Sequence, residues 1–218
     1  MISVLSGTLP GRMMLLLACL LAAGPLGAAD ALLTDMALVK ALRAGGYNLY
    51  FRHVSTDWSQ NDDVRKVDDW RSCDPLRMRQ LSAAGRAAAR AIGVAMRRLE
   101  IPVDEVLASP YCRTVETAKL MELGEVVESV QVMNLRSADY FGGRASVVAS
   151  AQSLLASAPG PAVNRVIVAH GNVAREATPA YPGEGEALVF EPGAAGEFVL
   201  RGRITPAEWA RLAELAGE

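Results

Sequence analysis

Asn48-Leu49-Tyr50-Phe51-Arg52-His53 is a short apolar and aromatic run that closes on an arginine and a histidine. Preceded by the breaker Gly45-Gly46, it reads as a buried strand with its polar pair at the carboxyl end. Arg165-Val166-Ile167-Val168-Ala169-His170 repeats the pattern and supplies the other of the chain's two histidines. In open α/β sheets, ligand sites form beyond the carboxyl ends of the strands. Two imidazoles delivered to that edge, one with an arginine beside it, point to phosphate chemistry more than to packing.

Helical patterns fill the spaces between the strands. Residues 34–43 carry Leu38, Val39 and Leu42 at helical spacing and stop at Gly45-Gly46. Ser82 reads as the N-cap of a helix to Leu99, with Ala84, Ala88, Ile92, Ala95, Met96 and Leu99 as its apolar stripe. Pro102 ends it, and Val103–Ala108 reads as the next strand. Ser109-Pro110 then reads as N-cap and first residue of a helix over 110–123, which puts Arg113 in the first turn. Free backbone N–H groups and a guanidinium can converge on an anion there. A strand over 126–132, a helix over 145–158, and a hairpin of 186–191 with 197–203 follow. Thr205-Pro206-Ala207-Glu208 is a capping box that opens a last helix. Alternating strands and helices with short loops argue one α/β domain. The exception is the polar stretch 56–79, which is long for a structureless loop unless it is functional. Its acidic pairs, Asp62-Asp63 and Asp68-Asp69, read as a solvated face.

The bulk numbers narrow the function. At 218 residues the chain is long enough for one good core and short for two. A net charge of −2 with no basic stripe argues against nucleic acid as a partner. Arg12, the apolar run 13–23 and the small residues Gly27-Ala28-Ala29 have the layout of a secretory signal peptide, so residues 1–29 are expected to be removed and 30–218 to form the domain. Membrane contact is then confined to that segment, and the expected location is periplasmic or secreted. An uncleaved anchor is the alternative, and too little apolar sequence precedes Cys19 for a lipoprotein signal. The mature chain keeps Cys73 and Cys112. An oxidising compartment permits a bridge between them, and two separate buried thiols are the other reading. No Cys/His cluster has zinc-ligand spacing.

Three strand ends thus present Arg52-His53, Arg113 and His170. Guanidinium groups bind two oxygens of a phosphate at once. A neutral imidazole can attack phosphorus if its other nitrogen is held by an acceptor, commonly a backbone carbonyl. A second imidazole, protonated, can stabilise charge on the equatorial oxygens. The plainer readings are a surface charge for Arg52 and an Arg113–Glu116 pair along one helix.

Four segments carry a family resemblance. Tyr50-Phe51-Arg52-His53-Val54-Ser55-Thr56 resembles a strand-end Arg-His-Gly motif, and Leu81-Ser82-Ala83-Ala84-Gly85-Arg86 a Leu-Ser/Thr-x-x-Gly-Arg helix start. Ser109-Pro110-Tyr111-Cys112-Arg113-Thr114-Val115-Glu116-Thr117-Ala118 is similar to Ser-Pro-x-x-Arg-x-x-x-Thr-Ala, and Val168-Ala169-His170-Gly171-Asn172 to a second His-Gly motif. In this order and spacing they resemble the histidine phosphatase (phosphoglycerate-mutase-like) superfamily, in particular its small exported bacterial members. The resemblance implies a three-layer α/β/α sandwich around a mostly parallel central sheet. It also implies a phosphohistidine intermediate on His53, a phosphate pocket of Arg52, Arg113 and His170, and no metal or organic cofactor. The implied partner is a small phosphorylated substrate.

Val54 departs from the family's glycine. Its Cβ and stiff χ1 close most of the φ > 0 range, and a narrower pocket is one consequence. That residue keeps a second reading open, a weak or inactive binder of phosphorylated ligands. A phosphate-moving mutase is disfavoured by the export signal. For the general acid the resemblance favours Glu184, with Glu186, Glu122, Glu125 and Asp139 as the other carboxylates in range. Asp57 and Asn172 are expected at the pocket rim.

Overall fold

The computed structural model describes residues 32–217 together with Met1 and Ile2, so the expected signal segment lies, but for those two, outside the described residues. In chain order the main elements are α1 (Asp35–Ala44), β1 (Asn48–Arg52), α2 (Ala83–Arg98), β2 (Val103–Ala108), α3 (Cys112–Met121) and β3 (Val126–Glu128). Then come α4 (Arg144–Ala156), β4 (Asn164–Ala169), α5 (Gly171–Ala177), β5 (Ala187–Pro192), β6 (Phe198–Ile204) and α6 (Pro206–Leu215). The six strands form one sheet in the order β3-β2-β4-β1-β5-β6. The first four are parallel, and β5 and β6 are added antiparallel as a hairpin. This is the expected three-layer, mostly parallel arrangement.

The strand alternation decides what each face buries. Leu49, Phe51, Val166, Val168, Ala187 and Val189 point to a core closed by α1, α2, α6 and part of α3. Tyr50, Ile167, Ala169, Leu188 and Phe190 point the other way, into a core closed by α4, α5 and short 3-10 turns. Burial on both faces is why these strands read as continuous apolar runs.

Register places the site. β1 and β4 are neighbours with Phe51 opposite Val168 and Arg52 opposite Ala169, so His53 and His170 emerge side by side. The ladder runs one step further, with the His53 N–H donating to the Ala169 carbonyl at 3.0 Å. On the other flank of β4, the Ser109 N–H donates to the Val168 carbonyl at 2.9 Å. Three strand ends therefore share one edge.

Several expected boundaries move. Helix α3 starts at Cys112 with Tyr111 as its N-cap, because the backbone through Ser109 continues the sheet ladder. Ser109 is not a cap. In α2 the buried face is Gly85, Ala89, Ile92, Gly93, Ala95 and Met96, while Ala84 lies exposed. Alanine occurs all round this helix and marks no face. The decisive residue is Gly85, where a Cβ would come within 2.1 Å of the Ser55 carbonyl oxygen. The strand expected over 126–132 stops at Glu128, and Val130–Val132 is a 3-10 turn capped by the Ser129 hydroxyl. The short helix α5 was not expected. Its N-cap is His170, so its free N–H groups face the same edge.

Candidate active site

His53 and His170 are both buried, at 3 % and 2 % exposure, with ring centroids 5.7 Å apart and planes at 68°. The His53 Nδ1 lies 2.9 Å from the Val54 carbonyl oxygen. A carbonyl can only accept, so Nδ1 carries the proton and Nε2 keeps its lone pair. Among the described residues Nε2 has no hydrogen-bond partner. Burial, followed by the Arg113 charge, holds the His53 pKa well below 6.5, so the ring stays neutral. The sequence-based requirement for a nucleophilic imidazole is therefore met in geometry and charge.

His170 is fixed differently. Its Nε2 lies 2.9 Å from the Ser109 hydroxyl, whose other neighbour is the Met133 sulfur at 3.9 Å. Imidazole nitrogen is the better acceptor, so the hydroxyl proton goes to Nε2 and the ring proton sits on Nδ1. That Nδ1 is buried and has no partner. Burial and then Arg113 also hold the His170 pKa well below 6.5, so this ring too is neutral. The Tyr50 hydroxyl donates to the His170 carbonyl at 2.8 Å and accepts from the His170 N–H at 3.2 Å, pinning the backbone.

Arg52, His53, Trp58, Asp62, Arg79, Arg113, Asn134, Arg136, His170, Gly171, Asn172 and Tyr181 line one hollow of about 170 Å³. Arg52, His53, Arg113 and His170 are brought together as expected. Asn172 is in the wall, whereas Asp57 turns to Ser59 and Gln60 and is not. Arg79 and Arg136 were missed, and so was Asp62. The Arg113 guanidinium does not reach Glu116, which pairs with Arg86 at 2.6 Å. It makes a two-pronged pair with Asp62, at 2.9 and 3.0 Å. Asp62 is thus no part of a solvated face, and Asp69 is likewise buried, accepting the Arg65 and Lys66 N–H groups at 3.0 Å each.

The unmet polar atoms show what the hollow wants. Of the six buried side-chain polar atoms without a partner among the described residues, four belong to its walls: Arg79 Nε, Arg113 Nε, His170 Nδ1 and Asn172 Oδ1. Orphaned buried donors are costly, roughly 1–3 kcal/mol each, and they concentrate where a ligand completes them. Three of the four carry N–H, and no carboxylate pairs with Arg79 or Arg136 among the described residues. A wall with this excess of donors suits a compact multi-oxygen anion. Gly171 belongs to the same design, because a Cβ there would meet the Tyr181 ring at 2.8 Å and the Arg52 Cδ at 3.2 Å.

Val54 does not narrow this space. Its side chain is buried in the core under α1, α2 and α6, it is not in the wall of the hollow, and its φ is not positive. The expected steric conflict is absent because the chain turns its carbonyl, not its side chain, toward His53.

Of the carboxylates considered, Glu184 lies nearest the site, 3.3 Å from Arg52 Nη2 and 3.4 Å from the Thr56 hydroxyl. Glu186 is committed elsewhere. It takes the Arg203 fork at 2.7 and 3.1 Å and the Gly183 N–H at 2.6 Å. Burial works against its charge, but those partners outweigh it and lower its pKa. Glu122, Glu125 and Asp139 are exposed, and none of the five carboxylates is in the hollow's wall; the carboxylate of Glu184 alone contacts a residue of that wall, Arg52. Cys73 and Cys112 form a disulfide with Cα atoms 5.4 Å apart, which ties the 56–79 stretch to the start of α3. No group of three or more His, Cys, Asp or Glu among the described residues is placed to hold a metal ion.

Residues 49–141 match the model of the histidine phosphatase superfamily (branch 1). The match takes in Arg52, His53 and Arg113 and stops short of His170 and Glu184. A search of curated proteins finds no match. Among solved structures, a candidate alpha-ribazole-5'-P phosphatase from Escherichia coli is similar at 14 % identity and a TM-score of 0.50, over 71 % of this chain and 94 % of that one. The protein histidine phosphatase SixA complexed with tungstate is 14 % identical with a TM-score of 0.49, over 74 % and 97 % of the two chains. A candidate phosphohistidine phosphatase SixA from Nakamurella multipartitia is 20 % identical with a TM-score of 0.43, over 79 % and 92 %. The likeness to the Escherichia coli structure is one of fold.

Proposed function

We propose that this chain is an exported phosphomonoester hydrolase that works through a phosphohistidine on His53. The observation that carries the reading is the pairing of an unprotonated His53 Nε2 with a hollow whose unmet donors suit a phosphoryl group. The superfamily match over 49–141 supports phosphatase chemistry. In this reading the ester's phosphoryl group sits among Arg52, Arg79, Arg113 and the Nδ1–H of His170. Nε2 of His53 attacks phosphorus in line as the ester P–O bond breaks, and the leaving oxygen takes a proton. Water then attacks the phosphohistidine, releasing inorganic phosphate and restoring His53. The reaction needs positioning and charge stabilisation more than covalent chemistry from the other residues.

Glu184 is our choice for the proton donor. Its contacts to Arg52 and Thr56 are long and single, so it can exchange them for a leaving oxygen. Export rests on the charged, apolar and small-residue layout of residues 1–29. A disulfide between the remaining cysteines suits an oxidising compartment.

The test is phosphoryl trapping. Rapid acid-free quenching of the chain with an aryl phosphate labelled on phosphorus should leave label on a histidine. The His53→Ala chain should take none. Label retained by His53→Ala, or on a residue other than histidine, would end this assignment.

A further inference from the structure

We propose that Asp62 is the positioning residue of the phosphate site: it holds Arg113 so that the Nε edge of the guanidinium is the one offered to the phosphoryl group. This rests on the reading of the hollow as a phosphate site and adds a residue to it. Guanidinium has two planar forks, one between the two terminal nitrogens and one along the Nε side. Asp62 takes the first with both oxygens, and each side chain of the pair is only 2 % exposed. The face of the guanidinium lies 4.6 Å from the centre of the Tyr111 ring. What is left is the second fork, and its Nε–H is one of the unmet donors in the wall of the hollow.

Asp62 is itself held in place. Its Oδ1 accepts the Arg79 backbone N–H at 3.1 Å, so the carboxylate that grips the Arg113 guanidinium is anchored on the main chain of Arg79, the other arginine whose Nε is unmet. The two legs of the 56–79 stretch are zipped across one another around it. Asp57 N–H donates to the Gln80 carbonyl at 3.0 Å, Asp63 N–H to the Arg77 carbonyl at 2.8 Å, and Gln80 N–H to the Gln60 side chain at 2.9 Å. The Cys73–Cys112 bond fastens the far part of the stretch one residue from Arg113. The long loop is thus the device that delivers Asp62 to its place.

The rival view is that Asp62 merely occupies the phosphate's seat and must be expelled. The two views give opposite signs. Affinity for inorganic phosphate is measured by calorimetry on the chain and on Asp62→Asn, alongside kcat and KM for an aryl phosphate. If Asp62 positions Arg113, Asp62→Asn weakens phosphate binding by at least about tenfold, on the scale of one lost charge-assisted hydrogen bond, and raises KM more than it lowers kcat. Unchanged or tighter phosphate binding overturns the proposal. Should Asp62→Asn fail to fold, Arg113→Gln is compared with Asp62→Asn plus Arg113→Gln, in which no buried charge is left unpaired. Equal phosphate affinity in that pair supports positioning through Arg113, and a further loss overturns it. Absence of phosphate binding and of turnover in the unaltered chain would instead sink the phosphatase reading itself.

Discussion

The two histidines follow the ends of neighbouring strands, both buried and both discouraged from taking a proton, yet they are held by different means. His53 is oriented by a backbone carbonyl, that of Val54, which no substitution of a side chain can remove. His170 is oriented by the hydroxyl of Ser109, borrowed from a third strand end. The first arrangement leaves Nε2 with a lone pair, the requirement of a nucleophile. The second leaves Nδ1 with a proton, the requirement of a donor to phosphoryl oxygen. In the proposed reaction, one tautomer each, fixed by opposite kinds of partner, divides the labour between two identical side chains.

The division is tested most severely by removing each ring. In the proposed reaction His53→Ala deletes the atom that bonds to phosphorus, so kcat for an aryl phosphate should fall by about 10⁴-fold or more, as for a covalent nucleophile. On the same proposal His170→Ala deletes one donor to the transition state and should cost about 10²–10³-fold, the usual effect of one such donor. The assay is steady-state turnover at saturating substrate on chains that melt like the unaltered one. Equal losses at the two positions would erase the distinction drawn between them.

Ser109→Ala is the milder probe, since it spares both rings and frees only the His170 tautomer. With no hydroxyl to donate to Nε2, the ring proton can move to Nε2 and Nδ1 can lose its role. We expect a roughly tenfold fall in kcat with little change in KM, about the worth of one buried hydrogen bond. A corresponding residue behind His53 does not exist, because its partner is main chain. If Ser109→Ala is indistinguishable from the unaltered chain, the hydroxyl does not select the tautomer.

How far the sequence shows this site depends on what kind of signal each residue leaves. Strand-end position betrayed Arg52, His53 and His170, because period and breaker residues mark where buried runs stop. Arg113 was legible from Ser-Pro and the helix after it, even though the cap is Tyr111 and not Ser109. Arg79, Arg136 and Asp62 left no such mark. They come from the 56–79 stretch and a 3-10 turn, where neither periodicity nor capping applies, and only tertiary pairing sets their direction. An acidic pair such as Asp62-Asp63 reads as solvated, yet one member is sealed against Arg113 and the other exposed. The length of that loop drew attention to the stretch as a whole but marked no residue in it.

The smallest predicted effect concerns stability, and it treats the two rings alike. Both folded-state pKa values lie well below the 6.5 of the free side chain, so between those values the unfolded chain binds protons that the folded one refuses. Stability supplied by the neutral rings is therefore complete above about pH 6.5 and drains away as the solution is acidified below it, by up to about 1.4 kcal/mol per pH unit for each ring. His170→Gln should remove one ring's share, so the fall in unfolding free energy from pH 7 to pH 5.5, measured with urea, should be shallower than in the unaltered chain. Inorganic phosphate should act on both rings. A bound anion faces Nδ1 of His170 and the free Nε2 of His53, and its charge favours protonation of either ring. Added phosphate should therefore flatten the acid-side slope of the unaltered chain, and part of that flattening should survive in His170→Gln through His53. A slope insensitive to phosphate in both chains would mean that neither histidine faces the anion, and the reading of the hollow as a phosphate site would go with it.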